Sequence, residues 1–491
     1  MENKFKKFFI IGLSGWLAMA VISLVNLKKI LYGQCFFLNS WPFCSFPLSG
    51  WEKLEQALFL ILIFLLIATP FIYLVKNENW KNLKLAKKQL MVIFLIISIF
   101  AIIAAPFTSS DVIYYYHIGR AVASGINPYL SYWTIENKFY FPQVSEQVSG
   151  VMYGPLTVYL FFFVYKIVLG SLSAFVITWK ALMVILFYAC SLLLMKIIRQ
   201  EEDGANENAI WLWLFNPLVI WEWLVNGHFD AFWILPLLAA ISFAYKKKWF
   251  LVSVVLTIGI WIKFIPIIIT PLFILWWLKS SEKIVEKIKT AVFIILFFLF
   301  STILFWSKFW GGVATIKPLI IQSKWALQSF FALIYYSLLP FFQTWLGDNA
   351  HYYLTRLVHL LLLVLVFTLF FTLLRNGVRN LFKKENWSNI SYVNSIFLTL
   401  FIYLFVWQKS LWPWYAVWLL PLLIIMIQDL KNVGAKKIFI WLSVAPLFFY
   451  IPWMLMDKSE FQLWFSWLSV LLIVAYPLVE LFKWRKNSYG L

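Results

Sequence analysis

Apolar runs of roughly 15–25 residues recur along almost the whole chain, and most of its Lys and Arg residues fall in the short segments between them. A helix rises about 1.5 Å per residue, so about 20 such residues cross the roughly 30 Å hydrocarbon core of a bilayer. The runs are continuous and not alternating, which points to helices and not to the strands of a β-barrel. Composition supports this reading, because 63% of the residues are hydrophobic and only 13% are charged. A soluble domain is about 45–50% apolar and about 25% charged. A soluble globule could not cover so much apolar surface, which excludes an ordinary soluble enzyme, a disordered chain and a fibre. The expected fold class is all-α: a polytopic integral membrane protein with about 12–14 transmembrane or partly spanning helices and amphipathic interfacial helices in its outer loops.

Spans are expected near 8–25, 57–75, 90–105, 155–169, 174–198, 209–225, 229–245, 249–278, 290–306, 351–374, 390–406, 415–428, 437–454 and 461–482. They group into a single membrane domain with an N-terminal hairpin (1–89), a core (90–290) whose first outer loop is 106–154, and C-terminal helices (291–491) with a second outer loop at 307–350. That second loop is expected to hold two or more interfacial helices. The cations Lys76, Lys81, Lys84, Lys87 and Lys88, the run 375–384 and the segments 431–437 and 483–486 mark cytoplasmic ends by the positive-inside rule. Placing Lys196, Arg199 and the three lysines 246–248 inside as well leaves the number of crossings uneven. Short pieces resolve this: 155–169 and the two halves of 249–278, parted by Lys263 and Pro266, are each too short to span. Broken helices at membrane depth are tolerated where they line a cavity, so a cavity is expected here.

The net charge is +20, from 41 Lys and Arg against 21 Asp and Glu. Its confinement to loops favours an anionic membrane surface and argues against nucleic acid as a partner. Cys190 lies in a span as a small core residue. Cys35 and Cys44 share a loop, and their spacing leaves pairing open. The basic start of the chain precedes an apolar run without a small-residue cleavage site, which reads as an uncleaved first span.

Six Asp and four His are few enough to weigh singly. Asp111 opens an amphipathic stretch, Asp111-Val-Ile-Tyr-Tyr-Tyr-His117-Ile-Gly-Arg120, ended by Gly125. At helical spacing it shares a face with Tyr114, Tyr115, Ile118 and Val122, while Arg120 lies opposite. It can cap the helix, or it can act as a general base at the membrane surface, kept ionised by the helix dipole. Asn226-Gly-His228-Phe-Asp230 lies between two spans, one turn after Glu222. Asp230 either caps the next helix or belongs to a site. Lys263 sits within an apolar run, where an ionisable group costs at least about 2.5–3.5 kcal/mol and needs a partner or a task. Snorkelling to the interface and binding a lipid phosphate are both open to it. Gln408-Lys409-Ser410 and Trp412-Pro-Trp-Tyr415 form an aromatic outer loop, suited to anchoring at the interface or to holding a sugar or phosphate. No Gly-rich phosphate loop, nucleophile elbow or Cys/His metal spacing is present.

Taken in order, Asp111 to Arg120 with Gly125-Ile-Asn-Pro-Tyr129, Tyr153-Gly-Pro155, Asn216-Pro217 with Asn226 to Asp230, the Lys263-Phe-Ile-Pro266 break and Trp412 to Tyr415 resemble membrane glycosyltransferases of the GT-C superfamily. The nearest branch is glycosyltransferase family 87, the polyprenol-phosphate-mannose-dependent mannosyltransferases. The resemblance spans about 100–421. It implies an extracytoplasmic active site in the cell membrane, a polyprenyl-phosphate-linked sugar donor and an acceptor hydroxyl on a lipid or glycan. It also implies a catalytic base early in the first outer loop, which here is Asp111. Some GT-C families carry an acidic pair at that point; one acid stands here, so a divalent metal is left open but not indicated, and no other cofactor is expected. Donor phosphate or sugar contacts are expected from Lys263, Arg120, His228, Asp230, Asn226, His117, Lys409, Trp412 and Tyr153. Two rival readings stand beside this one. A lipid-linked glycan polymerase or ligase needs larger outer loops and several outer Arg, and the chain has six Arg in all. A lipid-linked sugar transporter or flippase predicts inverted repeats and intramembrane acids.

Overall fold

The computed structural model describes residues 2–31, 50–82, 87–130 (apart from 105, 107 and 110), 133–134, 147–148, 151–200, 206–280, 283–318, 329–382, 388–428, 433–455 and 467–489 (apart from 469). Cys35, Cys44 and much of the first outer loop lie outside the described residues. The fold is all-α, as expected. Twelve helices lead up to the end of the fourth long span: α1 (Glu2–Leu31), α2 (Gly50–Val75), α3 (Lys87–Ile103), α4 (Asp111–Ala123), α5 (Pro155–Ile167), α6 (Leu172–Ile198), α7 (Ile210–Leu214), α8 (Pro217–Val219), α9 (Ala231–Tyr245), α10 (Trp249–Ile262), α11 (Pro266–Leu278) and α12 (Ile284–Trp306). Helices Phe330–Leu346, Ala350–Phe382, Asn389–Ile402, Pro413–Ala416, Leu420–Met426, Val433–Val444, Tyr450–Leu455 and Tyr476–Tyr489 follow. The one extended feature among the described residues is a two-residue antiparallel pairing of Trp133–Thr134 with Gln147–Val148.

Among the described residues, seven helical stretches are long and apolar enough to cross a membrane, and seven shorter apolar helices of 10–17 residues accompany them. The chain is therefore a polytopic membrane protein. Five of the seven shorter helices fall between Met91 and Leu278. The 249–278 run breaks where Lys263 and Pro266 predict, into α10 and α11 of 14 and 13 residues, each roughly 20 Å long. Two stretches read as single spans are also broken. Residues 209–225 divide into α7, α8 and a π-helical turn Ile220–Val225, because Asn216 caps a new start and Pro217 lacks the N–H that would continue the old helix. Residues 415–428 divide between Pro413–Ala416 and Leu420–Met426, with Pro421 in the first turn of the second piece. In the second outer loop, where two or more interfacial helices are expected, the described residues hold one α-helix, Phe330–Leu346, and two short 3-10 turns, Gly312–Ile316 and Gly347–Asn349, and residues 319–328 lie outside the described residues.

The broken helices occupy the packed centre. α9 packs against α10 and α6, and α6 also packs on the Ile220–Val225 turn. α4 lies along α5. The N-terminal pair α1 and α2 supports this centre from behind: the Phe64 ring of α2 meets Trp221 edge-on with centroids 4.8 Å apart.

Candidate active site

The turn Ile220–Val225 is wider than an α-helical one, and such π-turns are frequent at functional sites. It ends in Asn226-Gly227-His228. Gly227 has φ +74°, a left-handed conformation open to glycine and strained for other residues. Its carbonyl accepts a 2.7 Å hydrogen bond from Trp179 Nε1. This reversal turns Glu222, Asn226, His228 and Asp230 inward, and all four side chains are buried.

His228 lies between two carboxylates. Nδ1 is 3.3 Å from Asp111 Oδ2, and Nε2 is 3.3 Å from Glu222 Oε2. Neither contact is aligned as a hydrogen bond, so the attraction is chiefly between charges. Burial alone pushes the imidazolium toward neutrality, but the two flanking carboxylates outweigh it and lift the pKa from 6.5 to about 9. The ring stacks on Trp414 at 4.0 Å, and Trp414 stacks on Trp412 at 4.9 Å. Asp111 is the open member of the group, with 27% of its side chain exposed. It begins α4; its own N–H donates to Ser109 Oγ, and Tyr115 OH donates to its Oδ2 at 3.3 Å.

Asn226 ties these parts together. Its Nδ2 donates to Thr108 Oγ1 at 2.8 Å and to Glu222 Oε2 at 3.0 Å, and its Oδ1 accepts from the Thr108 hydroxyl at 3.1 Å. Trp221 Nε1 donates to the same Thr108 hydroxyl. The α3–α4 junction, and with it Asp111, is thereby fixed to the 222–230 segment. Glu222 is held from the far side by Tyr450, whose OH donates at 3.0 and 3.2 Å to its two oxygens.

The second charged pair lies at the α10–α11 break. Lys263 Nζ donates to Asp230 Oδ1 at 2.6 Å. The same oxygen accepts from Trp418 Nε1 at 2.7 Å and from Trp233 Nε1 at 3.4 Å. Asp230 makes no side-chain cap to α9, so its role is the ion pair. The ammonium stands over the rings of Trp418, Phe229 and Tyr415 at 4.4, 4.9 and 5.2 Å and is 13% exposed. Tyr153-Gly-Pro155 braces the break: Gly154 N–H donates to the Ile262 carbonyl at 3.0 Å, and Thr157 Oγ1 donates to it at 2.8 Å. A Cβ on Gly154 would lie 2.0 Å from the Trp261 carbonyl oxygen, so only glycine fits there. Among the described residues, no three His, Cys, Asp or Glu side chains are arranged to hold a metal ion.

The remaining predicted residues divide. The Tyr153 ring packs edge-on against Tyr115 and Phe229, beside both charged groups. Trp412 joins through the stack on Trp414. His117 and Arg120 lie on another flank of α4, where burial, aided by the Arg120 charge, pushes His117 down to about 4. Lys409 sits in the C-terminal half over the Phe331 ring, and burial pushes it down to about 8. Sequence reasoning left Glu222, Thr108, Trp418, Tyr450 and Lys180 out of the site. Lys180 of α6 is buried and donates to the Ala104 carbonyl at the end of α3. Glu222 and Lys180 carried a usable signal, an ionisable residue inside an apolar run. A cavity of about 660 Å³ is lined by Phe264, the residue after Lys263, with Tyr129, Trp306, Trp310, Ile303 and neighbours. Tyr129 links it to the site, because its OH donates to the Tyr153 carbonyl at 2.7 Å.

No curated protein matches this chain. Residues 9–279, more than half of the chain and inclusive of most of α1, all of α2 and every element from Thr108 to Lys263, match the family model described as alpha-(1->6)-mannopyranosyltransferase, N-terminal domain, and the chain belongs to that family.

Proposed function

We propose that the protein transfers mannose from a polyprenyl-phosphate-linked donor to a hydroxyl of a mannose-bearing lipid or glycan acceptor, with Asp111 as the general base. The observation that carries this reading is the placement of Asp111. It is a partly exposed carboxylate at the start of an interfacial helix, clamped to His228 and close enough to Lys263 for their charges to interact. The acceptor hydroxyl attacks the anomeric carbon while Asp111 takes its proton, and the bond to the phosphate breaks in the same inverting step. An α-linked product formed with inversion requires a donor whose mannose is β-linked to phosphate. Lys263 has three donors, of which Asp230 occupies one, so the ammonium can meet the departing phosphate without leaving its partner. The aromatic cavity lined by Phe264 and Tyr129 suits the first isoprene units, and the weakly hydrated surroundings of Lys263 strengthen the contact to phosphate.

The distribution of charge supports an extracytoplasmic site. Lys76, Lys81, Lys84, Lys87 and Lys88 precede or begin α3, and Asp111 follows its far end, about 26 Å away at 1.5 Å per residue over 17 residues. With the lysines cytoplasmic, Asp111 faces the extracytoplasmic side.

The test is full-length protein in liposomes with polyprenyl phosphate mannose and an alkyl mannoside that presents a free 6-hydroxyl. Wild type is expected to consume donor and form a mannosyl-mannoside. Asp111→Asn is expected to retain donor binding and lose transfer by about 10²–10⁴-fold. Near-normal transfer by that variant defeats the assignment of the base. Transbilayer movement of donor without product would favour transport instead.

A further inference from the structure

The mechanism above leaves one acid unexplained. Glu222 is fully buried in the apolar sequence Trp221-Glu222-Trp223, where an uncompensated carboxylate is costly. Its oxygens meet Tyr450 OH, Asn226 Nδ2 at 3.0 Å and His228 Nε2. We infer that Glu222, braced by Tyr450, is a positioning residue that acts through His228: it keeps the imidazolium charged against Asp111 and so holds the base in place.

The inference rests on the reading of Asp111 as the base. The groups facing His228 are Asp111 from α4, Glu222 from the π-turn and the Trp414 ring from Pro413–Ala416. Two carboxylates around one imidazolium leave a net charge of −1. Without Glu222, the only compensation for a buried imidazolium is the carboxylate that must take up a proton, and burial would then favour neutral imidazole. With Glu222 present, His228 keeps a partner even when Asp111 is protonated during turnover. The ring can therefore guide Asp111 through a complete cycle. Tyr450 and Trp414 lie outside the matched segment 9–279, so C-terminal helices set the state of a base carried by the N-terminal half.

Glu222→Gln preserves shape and removes the charge. In the liposome assay with polyprenyl phosphate mannose and an alkyl mannoside, its alkaline limb of kcat against pH is expected to move down by about one pH unit or more, with KM for the donor unchanged. Tyr450→Phe is expected to shift the limb in the same direction by less, and it carries the test if Glu222→Gln fails to fold. A limb that stays at the wild-type pH overturns the inference, whether the rate is normal or uniformly reduced. Asp111→Asn run in parallel separates the two ideas. Activity in that variant removes the base and this inference together; inactivity beside an unmoved limb in Glu222→Gln removes only the role of Glu222.

Discussion

Residues 209–278 and residues 284–382 are both strongly apolar, yet they fold in opposite ways. The first region is cut into α7, α8, a π-turn and α9 to α11, none longer than 15 residues, and it carries Glu222, His228, Asp230 and Lys263 at its breaks. The second runs through α12 and the stretch Phe330–Arg375 in long helices, with only 6% and 17% of their apolar windows buried. The difference teaches where irregular backbone is tolerable. Carbonyls and N–H groups freed at a break need partners, and in the first region Trp179, Thr157 and Gly154 supply hydrogen bonds from packed neighbours. Ile288, Leu296 and Leu360 are exposed, and an apolar exposed face offers no such partner, so the helices there remain whole.

The largest effect is expected where that contrast is sharpest. Asp230→Asn strips a buried ammonium of its counter-charge, which costs about 3–5 kcal/mol for a buried pair broken on one side. The unfolding midpoint of the detergent-purified protein should fall steeply. Adding Lys263→Met should recover most of that loss while transfer remains abolished, because an apolar side chain at the break no longer needs Asp230. If Asp230→Asn is no more harmful than a polar substitution on the exposed face of α12, the two regions do not differ in the way described.

Much of this contrast was legible before any coordinates. Continuous apolar runs with cations between them fix the helical class, and Lys263 beside Pro266 fixes one break. Asp111 stood out because it opens an amphipathic segment directly after a span, where an acid can cap the helix or serve as a base at the membrane surface. The breaks at 216 and 417–419 escaped, since Asn216-Pro217 within an apolar stretch fits a kinked span as well as a new helix. The partners escaped for another reason. Nothing local marks Tyr450 as the residue that reaches Glu222 from 228 positions away, or Trp418 as the donor to Asp230. Helical periodicity assigns faces within one helix and is silent on which helices meet.

Titration offers a second contrast, of intermediate size. His228 is lifted to about 9 because two carboxylates overcome burial, whereas Lys409, in the C-terminal half, is pushed down to about 8 by burial. For His228 the folded value lies above the ordinary 6.5. Its contribution to stability is therefore complete below about 6.5 and is lost as pH rises through about 9. Transfer by wild type should fall across that same alkaline window. A His228→Gln variant should lack the window and be slow at every pH, while Lys409→Gln should keep it. An alkaline limb that survives in His228→Gln would locate the titrating group elsewhere.

The smallest effect tests whether the smooth region touches the chemistry at all. α12 is exposed along most of its length, but its far end, Thr302 to Trp306, lines the cavity beside Phe264. The Trp306 ring lies 5.0 Å from Tyr129 and is stacked at 6.5 Å on Phe264, next to Lys263. If isoprene units of the donor rest there, Trp306→Ala removes apolar contact from ground state and transition state alike, which raises KM and leaves kcat unchanged. The expected rise is about fivefold, on the order of 1 kcal/mol of lost contact. Ile288→Ala, on an exposed face of the same helix, should alter neither constant. An equal response from both positions would mean that α12 serves only to anchor the protein in lipid, and that the donor enters along another wall of the broken-helix region.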